Sequence, residues 1–490
     1  MASLADRVAI RAGGRAFSYR ELDEASRQVG EALRAGRSDL DDARVAFLIP
    51  PSFAHVAVQH GIWRAGGVAV PLGVSHPAAE LAFVVRDADA AIVVADPAFT
   101  EMLAPTARAA GARFVTTDTL LARTSCRAPE PTIDPSRRAM ILYTSGTTGQ
   151  PKGVVTTHAN IAAQVASLVE AWEWTSDDRA LLALPLHHVH GIINVVSSAL
   201  AAGATCEMLP AFDAAATWSR LASGDISIFT AVPTIYHRLI ASWNAAPPDE
   251  QRRRSEGCRL VRVMMSGSAA LPRDVLERWR EISGHTLLER YGMTEFGMAL
   301  SNPLHGDRRA GYVGTPLPRV SVRLVDEHGV DVSAGVAGEI EVRGPGMFTE
   351  YWHRPDETRG AFHDGWFRTG DLAIVEDGAY RILGRLSVDI IKTGGEKISA
   401  LEIEEVLRSH PAIADCAIVG VPDDAWGARV SVAAVLRPGV TLSIDDLQAW
   451  ARARLAPAKV PKAWLCVDAL PRNAMGKVVK TQVVALFEHG

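Results

Sequence analysis

The sequence predicts an α/β protein in two parts: a large N-terminal domain of layered α/β sheets with a β-rich subdomain, and a small α+β C-terminal domain. Three observations predict it. Helical and strand-like segments alternate up to about residue 300, the pattern of a largely parallel sheet with helices on its faces. From 310 to 385 the pattern changes to short strands separated by Gly and Pro turns. Residues 386–490 form a separate run in which two strands lie between two helices. The length of 490 residues fits this division, being more than one hydrophobic core organises.

The elements follow in order. Residues 7–11 read as a strand, and residues 19–34 carry helical apolar spacing. Residues 43–49, 68–71 and 90–95 are short apolar runs expected to be buried strands, with helical material between them. The polar, Pro-containing stretch 123–138 is expected to be a connecting loop. Strand-like 139–143 runs into a Gly/Thr-rich loop, and a helix follows with Ile161, Val165, Leu168 and Val169 on one face. The polar insert 244–257 is expected to be a surface loop. Near the C-terminus, strands at 415–421 and 429–436 are expected between a helix that turns Ile403, Val406 and Leu407 inward and one that Ser443-Ile444-Asp445-Asp446 caps. No internal repeat and no low-complexity tract is visible.

Bulk composition narrows the function. Apolar residues make up 48% and charged residues 22%, with a formal charge of -5 and a pI near 6.3. Nothing in that balance suggests a nucleic-acid partner or stable membrane association. The longest apolar stretches, such as 192–202, are too short to span a bilayer. The five cysteines, at 126, 206, 258, 416 and 466, lack Cys-x-x-Cys spacing, which argues against a zinc site or disulfide framework. With no apolar leader, a cytoplasmic location is expected. Only seven of the 51 basic residues are lysine, so a lysine at a Gly-rich site stands out.

Residues 143–153 read Tyr-Thr-Ser-Gly-Thr-Thr-Gly-Gln-Pro-Lys-Gly. Gly146 and Gly149 let backbone amides turn toward an anion. Thr144, Ser145, Thr147 and Thr148 add hydroxyl donors, and Lys152 adds positive charge. Gln150 and Pro151 separate the second glycine from the lysine, which disfavours an ordinary P-loop.

This loop resembles the phosphate-binding signature of the adenylate-forming superfamily, which contains acyl-CoA synthetases, peptide-synthetase adenylation domains and luciferases. Further motifs appear in the superfamily's order. Ser266-Gly267-Ser268-Ala269-Ala270 resembles its adenine-pocket loop. Tyr291-Gly292-Met293-Thr294-Glu295 resembles the segment that packs on adenine and supplies a magnesium-binding carboxylate. Arg368-Thr369-Gly370-Asp371 resembles the segment whose Asp accepts both ribose hydroxyls, which suits a carboxylate's acceptor capacity. Gly384-Arg385 resembles the end of the large domain, and Pro471-Arg-Asn-Ala-Met-Gly-Lys477 the catalytic-lysine motif. The similarity runs from about residue 15 to 485.

The resemblance implies a large adenylation domain over 1–385 and a mobile lid over 386–490. ATP, Mg2+ and coenzyme A would be its reactants and cofactor. Glu295 would be the metal ligand, and a single carboxylate is what magnesium takes when phosphates supply further oxygens. Lys152 and the loop would hold the β- and γ-phosphates, and Lys477 would bridge the attacking carboxylate and the α-phosphate. Catalysis would be positioning and charge neutralisation, with no protein nucleophile. The lid would rotate about Arg385-Leu386-Ser387, with Ser387 at the hinge. Lys392, Gly394 and Gly395 would then line the thiol tunnel.

The acid is read from five positions. Arg290 directly precedes the Tyr-Gly-Met-Thr-Glu motif, and Arg238 lies in a segment that runs beside the acyl pocket in the superfamily. The resemblance implies that His190 stands at the pocket wall, His188 at its gate, and Ser266 among the residues that meet the acid. Unpartnered arginines facing a pocket are costly, and a second carboxylate on the substrate would satisfy them bidentately. Segments 288–295, 297–301 and 313–318 most closely resemble malonyl-CoA synthetases, which implies malonate or a 2-substituted malonate such as methylmalonate. Glu396 departs from that pattern, where tyrosine is usual. Other readings remain: arginines paired to internal acids such as Glu289, a short- or medium-chain monocarboxylate CoA ligase, a carrier-loading adenylation domain, or a nucleotide-binding regulator without catalysis. With 13 residues after Lys477, a carrier domain in cis is not expected.

Overall fold

The computed structural model describes residues 4–122, 129–144, 151–393, 396–423, 426–440, 443–472 and 478–487. Two large sheets form the body. The seven-stranded sheet runs, edge to edge, Glu350–Tyr351, Lys152–Thr157, Arg138–Thr144, Val68–Pro71, Arg44–Leu48, Ile92–Ala95 and Arg113–Thr116. Val68–Pro71 and Ile92–Ala95 are buried at every residue. They therefore read as continuous apolar runs, as parallel strands covered on both faces do. The helix Tyr19–Arg34 begins at a capping box between Ser18 and Glu21 and packs on Phe53–Arg64. The two helices approach closely at Gly61, where a Cβ would meet Val29 Cγ1 at 2.5 Å.

The nine-stranded sheet carries the parallel neighbours Ile228–Ala231, Val263–Ser266 and Leu288–Tyr291, with Ser266 in register with Glu289. Their C-terminal ends open on one side, where parallel α/β sheets bind ligands. The main core contains Trp172, Trp218, Trp279, Tyr236, Phe47 and Phe229, all fully buried. A five-stranded sheet, including Ser321–Val325, Gly338–Arg343, Trp366–Glu376 and Ala379–Arg385, makes the β-rich part around Phe296, Phe348 and Phe367.

The C-terminal part has its own core of Ile391, Ile403, Leu407, Ile418, Val432 and Leu447. Strands Ile413–Asp423 and Gly427–Leu436 lie between helices Ala400–Arg408 and Ile444–Arg452, the latter capped by Ser443. Near its end, Lys480 is buried against Asp389 at 2.7 Å and Glu404 at 2.8 Å.

Residues 244–257 are not a loop. The helix Pro233–Asn244 ends there and another, Pro248–Arg259, begins. Proline at the first helical position, two acids in the first turn and a Gln/Arg run all favour it. Its buried face hid the helix from an apolar-periodicity reading, because it consists of Arg254, Ser255, Gly257 and Cys258. The Arg254 guanidinium lies 5.5 Å from the Trp218 ring. The expected connector at 123–138 lies partly outside the described residues, and Arg138 already belongs to a strand.

Candidate active site

The site is built on loops and strand ends from both sheets and the β-rich part. Thr144 ends its strand and pairs in register with Lys152 across the antiparallel ladder, so the two residues that flank positions 145–151 stand side by side. Ser145, Gly146, Thr147, Thr148 and Gly149 lie outside the described residues, as do Lys477, Gly394 and Gly395. Lys152 forms an ion pair with Glu357, and its ammonium sits 5.5 Å from the centre of the Tyr351 ring.

Asp371 is buried where the strand Trp366–Glu376 faces Tyr291. The Tyr291 hydroxyl donates to its Oδ2 at 2.6 Å, and Arg385 Nε donates to its Oδ1 at 2.9 Å. Arg385 also donates to the Thr369 carbonyl at 3.0 Å, and its Nη2 lies 3.6 Å from Met293 Sδ. Asp371, Tyr291, Met293 and Arg385 therefore form one connected group. Gly292 is required by close approach: a Cβ there would meet the Gly297 carbonyl oxygen at 2.0 Å. Thr294 stands half-buried in the turn that follows.

Glu295 is buried, and burial raises its pKa above the ordinary carboxylate range. Tyr351 donates a hydrogen bond to its Oε1 at 2.9 Å. Among the described residues Glu295 has no ion-pair partner. A desolvated carboxylate in that condition suits a hard divalent cation arriving with ATP, so these residues fit magnesium.

The acid-pocket residues divide. Arg290 is 3% exposed, on the strand Leu288–Tyr291. Among the described residues its Nε and Nη2 have no hydrogen-bond partner, and burial lowers its pKa to about 10. Glu289 is not its partner. Successive strand residues face opposite ways, and Glu289 instead accepts from the Gly311 amide at 2.9 Å. Burial pushes the Glu289 carboxyl up to about 8. Ser266 is buried with its hydroxyl unbonded among the described residues. His190 is buried between Ser268 Oγ, 3.1 Å from Nδ1, and Thr230 Oγ1, 2.8 Å from Nε2. Burial first, and then the charge of Arg290, hold its pKa well below the usual imidazole value. Ser268 adopts a left-handed φ of 68°, a conformation that costs energy in a non-glycine residue. Ala269 follows it, exposed. His188 is half-buried against His187 at 4.0 Å between ring centres.

Arg238 does not share the buried setting of Arg290. It is exposed, with its guanidinium 4.6 Å from the Phe212 ring centre. The physical reason is helical phase. Tyr236, two residues earlier, points inward and donates to the Met265 carbonyl at 2.7 Å, and two helical steps turn a side chain to the far side. The burial argument from sequence therefore applies to Arg290 alone. Ser387 is exposed in a turn closed by the Asp389 amide donating to the Arg385 carbonyl at 2.7 Å, and Lys392 is exposed. Tyr351, Glu357 and Thr230 touch site residues and carry no motif by which a sequence reading would have found them.

Asp371 tied to Tyr291 and Arg385, the buried carboxylate of Glu295, and Lys152 beside Thr144 fit a site for a nucleotide and its metal. The chain matches the AMP-binding enzyme family over residues 1–352 and that family's C-terminal domain over 402–477. It belongs to the AMP-binding enzymes. Among relatives, it is 44% identical to the human mitochondrial malonate–CoA ligase ACSF3 over 98% of this chain and 90% of that protein. Its fold matches ATP-bound MatB from Rhodopseudomonas palustris with a TM-score of 0.91 at 35% identity, covering 99% and 96% of the two chains. It matches a malonyl-CoA ligase product complex with methylmalonyl-CoA and AMP with a TM-score of 0.71 at 36% identity, covering 96% and 98%. No helix of the described residues is long and apolar enough to cross a membrane.

Proposed function

We propose that this chain is an ATP-dependent CoA ligase that converts malonate to malonyl-CoA, with methylmalonate as a second substrate. The observation that carries the acid choice is Arg290, a buried guanidinium with two nitrogens that lack partners among the described residues, beside Ser266 and His190. A substrate carboxylate would supply the missing acceptors in a bidentate fork, and a terminal methyl group would not.

In the first half-reaction one malonate carboxylate oxygen forms a bond to the α-phosphorus of ATP. The bond from that phosphorus to the bridging oxygen breaks, and pyrophosphate leaves. Lys152, Thr144 and residues 145–149 hold the phosphates, Lys477 spans the attacking oxygen and α-phosphate, and Asp371 takes the ribose hydroxyls. Glu295 would hold magnesium, whose charge would neutralise that of the phosphates. In the second half-reaction the thiol sulfur of coenzyme A bonds to the acyl carbon, the carbon–oxygen bond to AMP breaks, and AMP leaves. Lys392, Gly394 and Gly395 line the thiol's approach after residues 386–490 rotate about Ser387. The compartment is reducing, and cytoplasm and mitochondrial matrix both satisfy the free thiols Cys206, Cys258 and Cys416.

The test is coenzyme A-dependent AMP release with malonate, methylmalonate and butyrate, on wild type and Lys477→Ala. Malonate should lead the panel. Lys477→Ala should lose adenylation by about 10²-fold or more while still forming thioester from supplied malonyl-adenylate. Butyrate matching malonate sinks the diacid reading, and equal loss in both half-reactions sinks the two-arrangement reading.

A further inference from the structure

The short strand Glu350–Tyr351 and its flanks tie together two nucleotide-site residues that are far apart in sequence. Tyr351 pairs with Val154 in the strand that Lys152 begins, and the Trp352 amide donates to the Gly153 carbonyl at 2.7 Å. On the other side, the Phe348 amide donates to the Glu295 carbonyl at 2.6 Å. The Tyr351 side chain repeats the bridge. Its hydroxyl donates to Glu295 Oε1 at 2.9 Å, and its ring faces the Lys152 ammonium at 5.5 Å. A carboxylate that donates electrons to a metal is commonly oriented by a hydrogen bond from behind, and an ammonium is attracted to a tyrosine face.

We propose that Tyr351 is a positioning residue of the nucleotide site, whose hydroxyl orients Glu295 for the divalent cation and whose ring holds Lys152 beside the phosphates. The proposal rests on the reading of Glu295 as a metal ligand and Lys152 as a phosphate ligand. One side chain thereby fixes the spacing between the site's anion and its cation. The simpler role, packing, is also available to the ring, since Phe348 lies 4.7 Å from it. Removing only the hydroxyl separates the two roles.

The experiment is calorimetric titration of a non-hydrolysable ATP analogue into the full chain, once with excess magnesium and once with EDTA. Tyr351→Phe keeps the ring and its packing. It should weaken binding about tenfold with magnesium, the scale of losing a group that orients a metal ligand, and leave metal-free binding unchanged. Tyr351→Leu removes the ring under Lys152 as well and should weaken binding in both conditions. Tyr351→Phe binding as wild type in both conditions, or losing equally in both, overturns the proposal. Glu295→Gln is the control on the reading beneath it. If that variant keeps the full magnesium gain, the metal-site reading itself falls and takes the proposal with it. If Glu295→Gln abolishes the gain while Tyr351→Phe retains it, the proposal alone falls.

Discussion

The guanidinium of Arg290 lies against the backbone of Gly267, so close that a Cβ on Gly267 would meet Nη1 at 2.1 Å and Cζ at 2.5 Å. The adenine-loop glycine and the acid-pocket arginine thus share one space. On the proposed roles of these two residues, specificity for the acid and the shape of the nucleotide loop would be set at a common contact.

Gly267→Ala should therefore act on acid use. Arg290 is buried and has little room to retreat, so the new methyl group shifts the guanidinium from its place. Misplacement on the ångström scale costs about 10²-fold in rate, and kcat/KM for malonate should fall by that order. Steady-state kinetics with varied malonate checks this. An unchanged malonate kcat/KM would mean that Arg290 does not contact the acid.

Arg290→Leu should trade function for stability. Breaking a buried charged contact to the substrate costs about 3–5 kcal/mol, or roughly 10²- to 10⁴-fold in malonate kcat/KM. Butyrate should be used no worse, because its methyl end no longer faces a cation. Without substrate the variant should be more stable by roughly 1–4 kcal/mol, since a buried charge with no ion-pair partner among the described residues gives way to an apolar side chain. Kinetics with both acids and denaturant unfolding of the free protein measure the two halves. A parallel fall for malonate and butyrate, with lower stability, would make Arg290 structural.

At the ribose end, Asp371 accepts from Tyr291 and Arg385, one on each oxygen, and each oxygen retains acceptor capacity. Asp371→Ala should weaken ATP binding by roughly 1.5–3 kcal/mol, the range for hydrogen bonds to a charged group. It should also narrow the preference for ATP over 2′-deoxy-ATP. A competition assay that returns the wild-type ratio would remove Asp371 from the ribose.

Glu289 should make stability depend on pH. Its folded carboxyl is raised by burial from 4.5 to about 8. The native state therefore holds a proton that the unfolded chain releases. The stabilisation is fully present below pH 4.5 and is lost as pH rises through about 8. At about 1.4 kcal/mol per pH unit, the loss is at most roughly 5 kcal/mol. Glu289→Gln is neutral throughout, so its unfolding free energy should fall less between pH 5 and pH 9 than the wild type's. Equal falls in the two proteins would show that Glu289 ionises normally.

Much of this was legible in the sequence, for reasons specific to each element. The run Val68–Pro71 reads as a buried strand because all four of its residues are in fact enclosed, so composition and environment coincide. The capped helix at Ser443 is a local hydrogen bond between neighbours in sequence, visible without tertiary structure. The helix Pro248–Arg259 was not legible, since its inward face is polar or small and fits against Trp218 and Ala222, which lie elsewhere in the chain.

By itself, the sequence determined the order of the motifs and the α/β class, because these depend on residue type at fixed spacing, and the family resemblance of those motifs is what implies the groups proposed to meet ATP. Only the tertiary structure decided which of two arginines is buried, which way Glu289 faces, and that Tyr351 joins Glu295 to Lys152. Those facts depend on helical phase, strand alternation and the meeting of segments some two hundred residues apart, and no local pattern encodes a desolvated charge.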